Sequence, residues 1–244
     1  MSEDVERTEE QPQAKWRPLD RTQRRVFGVL IEKAKTTPDS YPMSLNAIVT
    51  GSNQKSNRSP QMNLDTDDVE ATLDELREMG AVAEIQGGGR VSKYRHFAYD
   101  WLGVDKTEIA VMGELLLRGE QTIGELRGRA ARMQPIADLA ELRPVLASLI
   151  EKNLVVSLTP EGRGQIVTHN LYEPDELARV KQRVADAGPV ETGDSDSATP
   201  SRTVARQPPA DNSRLEELQS DVQQLRQQVR ELQDRLEKIE QMVQ

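Results

Sequence analysis

Positively charged side chains in the middle of this sequence have the types and spacing to contact phosphate groups. Some lie in the segment 41–64, which contains no acidic residue. Others follow a glycine run near residue 90 or cluster between residues 127 and 132. Arginine and lysine, with asparagine, glutamine and serine beside them, are the donors that meet phosphates and base edges. The candidate nucleic-acid-binding residues are Lys55, Arg58, Arg90, Lys93, Arg95, Arg127, Arg129, Arg132 and Arg163.

A structural interpretation of the same residues stays open. Asparagine side chains in the segment 53–63 could cap turns of their own loop. The arginines could pair with neighbouring acids such as Glu114 and Glu125, as most surface arginines do. Basic residues alone therefore do not decide between phosphate contact and internal pairing.

The charge distribution limits how nucleic acid could be bound. The chain carries 32 basic and 41 acidic residues, a net charge of -9. The predicted helix from Asp65 to Glu78 has seven acidic residues and the single basic residue Arg77, a net charge of -6. Duplex phosphates would repel such a helix. Any nucleic-acid binding must therefore depend on local basic patches.

The sequence offers little for catalysis or metal binding. There is no cysteine, so disulfides and thiolate metal sites are excluded. The two histidines, His96 and His169, are not at metal-ligand spacing, and we expect both to form structural hydrogen bonds. The glycine run 87–89 lies between two predicted strands, which indicates a hairpin tip rather than a phosphate loop. We expect no catalytic residue, no metal, no cofactor and no enzymatic activity.

An internal repeat organises the middle of the chain. With a shift of 73 residues, the segment 69–85 matches 142–158, Gly80 matches Asn153 and His96 matches His169. Upstream, Asp65 matches Asp138, and both are predicted to be helix N-caps, the second with Glu141 at the capping-box position. Further upstream the shift is 85, which aligns Asp20 with Asp105. The change of shift indicates a 12-residue insertion in the first copy, divided between 36–42 and 53–63. Added loops on a repeated frame often carry the special contacts.

Each copy predicts three short helices followed by a hairpin, which is the order of a winged helix. The helices are predicted at 22–35, 45–50 and 66–79, then at 106–118, 123–133 and 139–152. The strands are predicted at 82–85 and 91–97, then at 154–158 and 165–172. We expect Trp101 to be a packing anchor between the copies. The predicted core residues are Val26, Leu30, Ile31, Leu45, Ile48, Val69, Leu73 and Leu76 in the first copy, and Val111, Leu115, Leu116, Leu126, Leu142, Leu146 and Leu149 in the second.

The C-terminal segment 213–244 predicts a coiled coil. Its apolar residues alternate at spacings of three and four, a period of 3.5 that is buried by supercoiling against another helix. Mostly valine at a and leucine at d favours a parallel dimer, with an antiparallel pair disfavoured. An amphipathic helix packed on its own domain is the alternative. The seam residues are Leu215, Leu218, Val222, Leu225, Val229, Leu232, Leu236, Ile239 and Val243.

These patterns divide the chain into five parts. We predict a disordered tail at 1–17, a winged-helix domain at 18–100, a second at 101–180, a flexible linker at 187–212 and the coiled coil at 213–244. The fold class is mainly α with small β-wings. No apolar run could span a membrane and the N-terminus is acidic, so we expect a cytoplasmic protein.

Three unusual strings give the chain a family resemblance. They are EKAKTTPDSYPMSLNAIV at 32–49, NQKSNRSPQMNL at 53–64 and LLLRGEQTIGELRGRAARM at 115–133. In these strings the chain resembles the YceH-type family of uncharacterised bacterial proteins over residues 18–172. The resemblance implies tandem winged-helix domains but no established activity.

Two functions remain open at this point. The first is a DNA-binding or transcription-associated regulator that acts as a coiled-coil homodimer. The second is a protein-interaction scaffold that uses its winged helices as docking modules without binding DNA. DNA and an unidentified protein are the two candidate partners, and no membrane partner is expected.

Overall fold

A computed structural model describes residues 15–85 and 91–187 of the protein. The predicted tail (apart from its last three residues), the hairpin tip with Arg90, the linker beyond Ala187 and the coiled coil with its nine seam residues lie outside this described part. Within it the chain is mostly helical, with two small antiparallel sheets. None of the described helices is long and apolar enough to cross a membrane.

The first half contains three main helices and one three-stranded sheet. A short 3-10 helix, Pro38–Ser40, lies in the first part of the predicted insertion. The elements are α1 (Arg21–Thr36), β1 (Met43–Ser44), α2 (Leu45–Ser52), α3 (Thr66–Glu78), β2 (Val82–Ile85), β3 (Lys93–His96) and the short connecting helix α4 (Ala98–Leu102).

The second half has the same order of elements. It comprises α5 (Lys106–Arg118), β4 (Gln121–Thr122), α6 (Ile123–Ala130), α7 (Leu139–Glu151), β5 (Val155–Ser157), β6 (Ile166–His169) and a final helix, α8 (Pro174–Ala187). The predicted three helices and two longer strands of each half are confirmed, with bounds that differ by a few residues. Helices α4 and α8 and the two-residue strands β1 and β4 were not predicted from the sequence.

The two sheets have equivalent topology and register. Their strand orders are β1-β3-β2 and β4-β6-β5, and all pairs are antiparallel. Val82 is opposite His96 in the first sheet, and Val155 is opposite His169 in the second. The residue pairs predicted to be equivalent by the shift of 73 therefore occupy the same register positions.

Helix ends show the same equivalence. Asp20 and Asp105 each cap a helix through a full capping box, the first with Gln23 and the second with Glu108. Asp65 and Asp138 cap α3 and α7, as predicted. Glu141, which stands at the capping-box position, instead accepts a hydrogen bond from the Ala137 backbone N–H at 2.7 Å.

The chain reversal after α3 and α7 requires a left-handed backbone in both halves. Gly80 has φ +72° and Asn153 has φ +57°. The next residue but one then enters a strand, β2 or β5. Glycine and asparagine are the residues that adopt this conformation at least cost, so their alignment in the repeat has a physical reason.

The halves are joined by α1 and α5, which pack closely over two glycines. A Cβ at Gly28 would lie 3.0 Å from the side chain of Leu117, and one at Gly113 would lie 2.7 Å from Cγ2 of Ile31. Apolar residues of both halves form one continuous core around this crossing. The predicted core residues are buried, except Leu45, which is half-buried.

Trp101 is buried, and two of its contacts lie within the first half. Its ring packs edge-on against Phe27 at 5.4 Å, and its Nε1–H donates to the Met79 carbonyl at 3.1 Å. Trp101 also belongs to the core cluster that contains residues of both halves. Its role as a packing anchor between the copies stays a prediction.

Candidate functional surfaces

The outward face of α3 is strongly acidic. Six exposed carboxylates lie on this helix, and its single basic residue, Arg77, is bound to Asp74 at 2.7 Å and Glu84 at 3.3 Å. Arg77 therefore offers no compensating positive charge to a ligand. The exposed acidic residues are Asp67, Asp68, Glu70, Asp74, Glu75 and Glu78.

The outward face of α7 is more apolar and less charged than that of α3. Leu139 and Ile150 are 37% and 40% exposed, which is unusual for large aliphatic side chains. Ala140, Arg143 and Ala147 are exposed between them. The spacing of these residues places them on one side of the helix. They form a small apolar patch that contains one arginine, and the other exposed charged residues of α7 are Glu141 and Glu151.

The repeat places these two faces in equivalent positions. With the shift of 73, Asp67 matches Ala140, Glu70 matches Arg143 and Asp74 matches Ala147, while Thr66 and Arg77 match Leu139 and Ile150. The buried faces of the same helices keep leucine in both halves. The two copies have therefore kept their packing and changed their exposed chemistry.

The second part of the insertion, residues 53–63, sends one side chain, that of Arg58, into the interior of the molecule. Arg58 is 5% exposed and donates to Glu32 Oε2 at 2.6 Å, to the Gly51 carbonyl at 2.9 Å and to Gln54 at 3.0 Å. Burial acts to raise the pKa of Glu32, but the hydrogen bond and positive charge of Arg58 outweigh it and lower that pKa. The prediction that Arg58 contacts phosphate is wrong, because its guanidinium is buried and bound.

The same loop reaches the second half of the molecule. Asn57 donates to Glu32 Oε1 at 3.1 Å and accepts from Arg118 at 2.9 Å. The Ser59 backbone N–H donates to the Leu117 carbonyl of α5 at 3.0 Å. The insertion therefore forms hydrogen bonds with both halves and holds them together. The repeat predicted that the insertion would carry special contacts, and the contacts described here are with other residues of the same chain.

A second buried carboxylate, that of Glu114, is paired with two arginines. Glu114 is fully buried in α5, and burial raises its pKa. Arg132 donates to its Oε2 at 3.2 Å, and Arg118 lies 3.7 Å from its Oε1. Positive charge at this point serves to compensate Glu114.

The remaining predicted basic residues do not form one stripe. Arg129 binds Glu125 and Gln121, Arg132 binds Glu114, and Arg127 lies 3.5 Å from the Ala137 carbonyl. Within α6 and its end, the structural alternative, pairing with Glu114 and Glu125, therefore accounts for two of the three arginines. The predicted residues that are exposed are Lys55, Lys93, Arg95, Arg163 and Arg132, the last of which is bound to Glu114.

The outer side of the first sheet is the clearest basic surface among the predicted residues. Lys93 and Arg95 alternate with the buried Tyr94 along β3, so both point away from the core. Their register partners on β2 are Ile85 and Ala83, which carry no charge. No carboxylate is opposite these two cations in the register of the strands.

The two histidines have equivalent structural roles, as predicted. His96 Nδ1 accepts from the Ala98 backbone N–H, and His169 Nδ1 accepts from the Leu171 backbone N–H, each at 3.2 Å. Burial, with the positive charge of Arg95, lowers the pKa of His96 to about 4. Burial lowers the pKa of His169 well below its ordinary value. Both rings are therefore neutral at physiological pH.

The described residues contain no candidate metal site. Across residues 15–85 and 91–187, histidines and carboxylates form no group of three that could hold a metal ion.

Sequence comparison identifies the relatives of this chain. A family model described as "Protein of unknown function, DUF480" matches residues 19–164. The chain belongs to this family. The resemblance to an uncharacterised bacterial family, inferred from three strings, is confirmed.

Several family members are similar over most of their length. A UPF0502 protein of Rhodopirellula baltica is 52% identical over 207 residues, 83% of this chain and 85% of the relative. One of Pelobacter propionicus is 47% identical over 69% of this chain and 78% of its own length. One of Geotalea uraniireducens is 41% identical over 83% and 87%. An alignment of 207 residues extends beyond the segment 18–172, so the similarity also includes flanking sequence.

Proposed function

We propose that this protein is a non-enzymatic, cytoplasmic scaffold of two tandem winged helices that docks a partner protein on the exposed face of α7. The same proposal makes the segment 213–244 a parallel coiled coil that pairs two chains. Its main support is the chemistry of the two helices that stand at the recognition position of each copy.

The winged-helix assignment is supported by connectivity. Each half has the order helix, strand, helix, helix, strand, strand, with its first strand beside its third. In such a module the third helix is the one available to a DNA groove or to a docking partner, with the hairpin beside it. These helices are α3 and α7.

The exposed chemistry of these helices favours protein over DNA. Six exposed carboxylates on α3 would be repelled by phosphates, which are spaced closely on a duplex. On α7, Leu139, Ala147 and Ile150 offer apolar area, and Arg143 offers the kind of side chain enriched at protein interfaces. This single contrast carries the proposal.

The dimer would make such docking multivalent. A paired coiled coil would present two α7 faces, and linking two binding sites raises apparent affinity without new contacts. A partner with two sites would then bind the pair more tightly than a single face.

A crosslinking experiment with matched positions tests the proposal. A photo-crosslinking amino acid replaces Ala147 on α7 or, as the control, the equivalent Asp74 on α3. The full chain is irradiated in cells and the crosslinked products are identified by mass spectrometry. A defined protein product from position 147, absent from position 74, is expected. Equal yields from both positions, or products only with nucleic acid, would refute the docking role of α7.

A second function, contact with a DNA backbone, is favoured by one surface. Lys93 and Arg95 form a basic outer face on β3 without a carboxylate opposite in register. In a winged helix the hairpin commonly lies on the sugar-phosphate backbone.

Salt dependence separates this second function from the first. Full-length protein is titrated into random-sequence duplex DNA at several salt concentrations, with fluorescence anisotropy as the signal. Backbone contact by β3 predicts a salt slope that falls by roughly two units in the double variant K93A/R95A, about one for each cation removed. The variant R129A, whose guanidinium is already bound to Glu125, is the control. No binding at low salt would reject this function and leave the scaffold.

A further inference from the structure

A cavity of about 330 Å³ between the two halves is lined by six arginines. Three come from the first turns of α1, one from the end of α5 and two from α8. Ser59 and Pro60 of the insertion and His169 of β6 close its other sides. None of these arginines belongs to the basic residues considered above as phosphate contacts. They are Arg21, Arg24, Arg25, Arg118, Arg179 and Arg183.

The charge of this cavity is opposite to that of the chain. Its only lining carboxylates are Glu120 and Glu176, so the net charge of the lining is +4, whereas the chain carries -9. Glu176 is bound to Arg24 at 2.6 Å and Glu120 to Arg183 at 2.7 Å. Each lining carboxylate is thus already paired, and Arg118 lies 3.7 Å from Glu114, outside the lining. Among the described residues, the other three arginines, Arg21, Arg25 and Arg179, form no ion pair.

Two of these cations, Arg21 and Arg179, are exposed and make no hydrogen bond or ion pair with another described residue. Each is placed four residues before a second lining arginine, Arg25 or Arg183, on the same helix face. Like charges at this spacing repel each other, so the fold gains nothing by gathering them.

Arg25 shows the combined effect of burial and of this repulsion. Arg25 is only 2% exposed; it donates to the Ser52 and Pro60 carbonyls, while its Nε has no hydrogen-bond partner. Burial, followed by the charges of Arg58 and Arg21, lowers the pKa of Arg25 to about 10. An anion in the cavity would offset both effects.

The wall of the cavity is pre-organised. The guanidinium of Arg24 lies 4.5 Å from the centre of the Tyr172 ring, and that ring is stacked on His169 at 3.9 Å. Tyr172 is only 6% exposed and His169 only 1%, so these rings leave no open face on which a nucleobase could stack. The groups that could bind a ligand at this site are the planar guanidinium groups of the arginines.

We propose that this cavity is a binding site for a small anion with two or more phosphate groups, held between α1, α5 and α8. Guanidinium groups bind phosphate oxygens in pairs, and the exclusive use of arginine, without lysine, fits this geometry. The volume is that of a small-molecule pocket. Because α1 belongs to the first half and α5 and α8 to the second, the ligand would tie the two halves together, independently of the docking role of α7.

Calorimetry with pyrophosphate at constant ionic strength tests this site in the full-length protein. Wild type is expected to bind, and R21Q/R179Q to bind roughly a hundredfold more weakly, about tenfold for each charge-assisted hydrogen bond that is removed. The unliganded melting temperature of this variant should be unchanged, since neither side chain has a partner within residues 15–85 and 91–187. The control K55Q/R143Q removes two exposed cations elsewhere and should bind like wild type.

Three results would overturn the proposal. They are no heat of binding in wild type, equal weakening in the test and control variants, and displacement of pyrophosphate by a short duplex at equal phosphate concentration. The last result would assign the cavity to a nucleic-acid backbone instead of a small anion. Failure of either α7 docking or DNA binding leaves these outcomes unaffected.

Discussion

Helices α3 and α7 occupy the same place in two copies of one frame, yet a partner would meet opposite chemistry on them. Their caps are aspartates, their buried faces share two leucines at equivalent positions, and each is followed by a left-handed residue before a strand. On the exposed side, carboxylates at Glu70 and Asp74 of α3 are replaced by Arg143 and Ala147 of α7. Packing constrains one side of a helix, and the other side is free to acquire a function.

A second contrast lies in how different parts of the molecule use arginine. The basic residues of the insertion and of α6 are mostly bound to the internal carboxylates Glu32, Glu114 and Glu125. The six arginines that line the cavity outnumber its two lining carboxylates. Basic residues in a sequence therefore indicate a ligand only where the structure leaves them without an internal partner.

Removing the guanidinium of Arg58, which binds the buried Glu32, should have the largest effect on the free energy of unfolding. The variant R58A leaves Glu32 buried without its main counter-charge, and we expect a loss of about 3–5 kcal/mol in the free energy of unfolding. Urea denaturation followed by circular dichroism measures it. The exposed control R143A should change by less than about 0.5 kcal/mol. Equal, small losses of stability in R58A and R143A would show that the insertion does not hold the two halves together.

Acid should destabilise the fold through the two equivalent histidines. Their folded-state pKa values are depressed, to about 4 for His96, so the unfolded chain takes up protons first as pH falls below about 6.5. His96 alone accounts for at most about 3 kcal/mol, lost between pH 6.5 and 4. Stability measured across this range should fall less steeply in H96Q/H169Q than in wild type. An identical slope would contradict neutral, buried rings.

The left-handed turn position should tolerate the residue of either copy but no other common side chain. A Cβ at Gly80 would meet no atom within 4 Å, so the cost of G80A is that of the backbone alone, about 1 kcal/mol. The variant G80N copies the second half and should cost only a few tenths of that value. Chemical denaturation of both variants gives the comparison. Equal costs for alanine and asparagine would show that the turn is not strained.

Much of the frame could be predicted from the sequence, because its signals are local. Helix caps, apolar spacing and the match of Gly80 to Asn153 identified the three helices and two strands of each half. Strands β1 and β4 are two residues long and show no alternation. Val180 and Val184, buried on α8, give a spacing that could have indicated this helix.

The candidate sites were harder to predict from the sequence, because each is formed by segments that are far apart along the chain. The partner of Arg58 is Glu32, on another helix, and no local pattern connects the two. The arginine cavity joins residues near 21, 118 and 179, which only the folded chain brings together. The contrast between α3 and α7, by comparison, was already present in the alignment of the two copies.

The smallest effect on stability should come from changing the exposed face of α3. The variant E70R/D74A/R77I gives α3 three residues of α7 at exposed positions and removes only surface ion pairs, so the free energy of unfolding should change by less than about 1 kcal/mol. Thermal melting measures it. A large loss would mean that this face supports the fold.

The most direct test exchanges the outward face of α7 for that of α3 and measures partner recovery at unchanged stability. The variant L139T/A140D/R143E/A147D/I150R carries this exchange, and E70R/D74A/R77I on α3 is its matched control. If α7 is the docking face, the quantity of the partner identified by crosslinking and recovered with the α7 variant falls by roughly tenfold or more, as expected when interface anchors are removed. The α3 control then recovers as much as wild type. Undiminished recovery with the α7 variant, at wild-type melting temperature, would show that α7 is not the docking face.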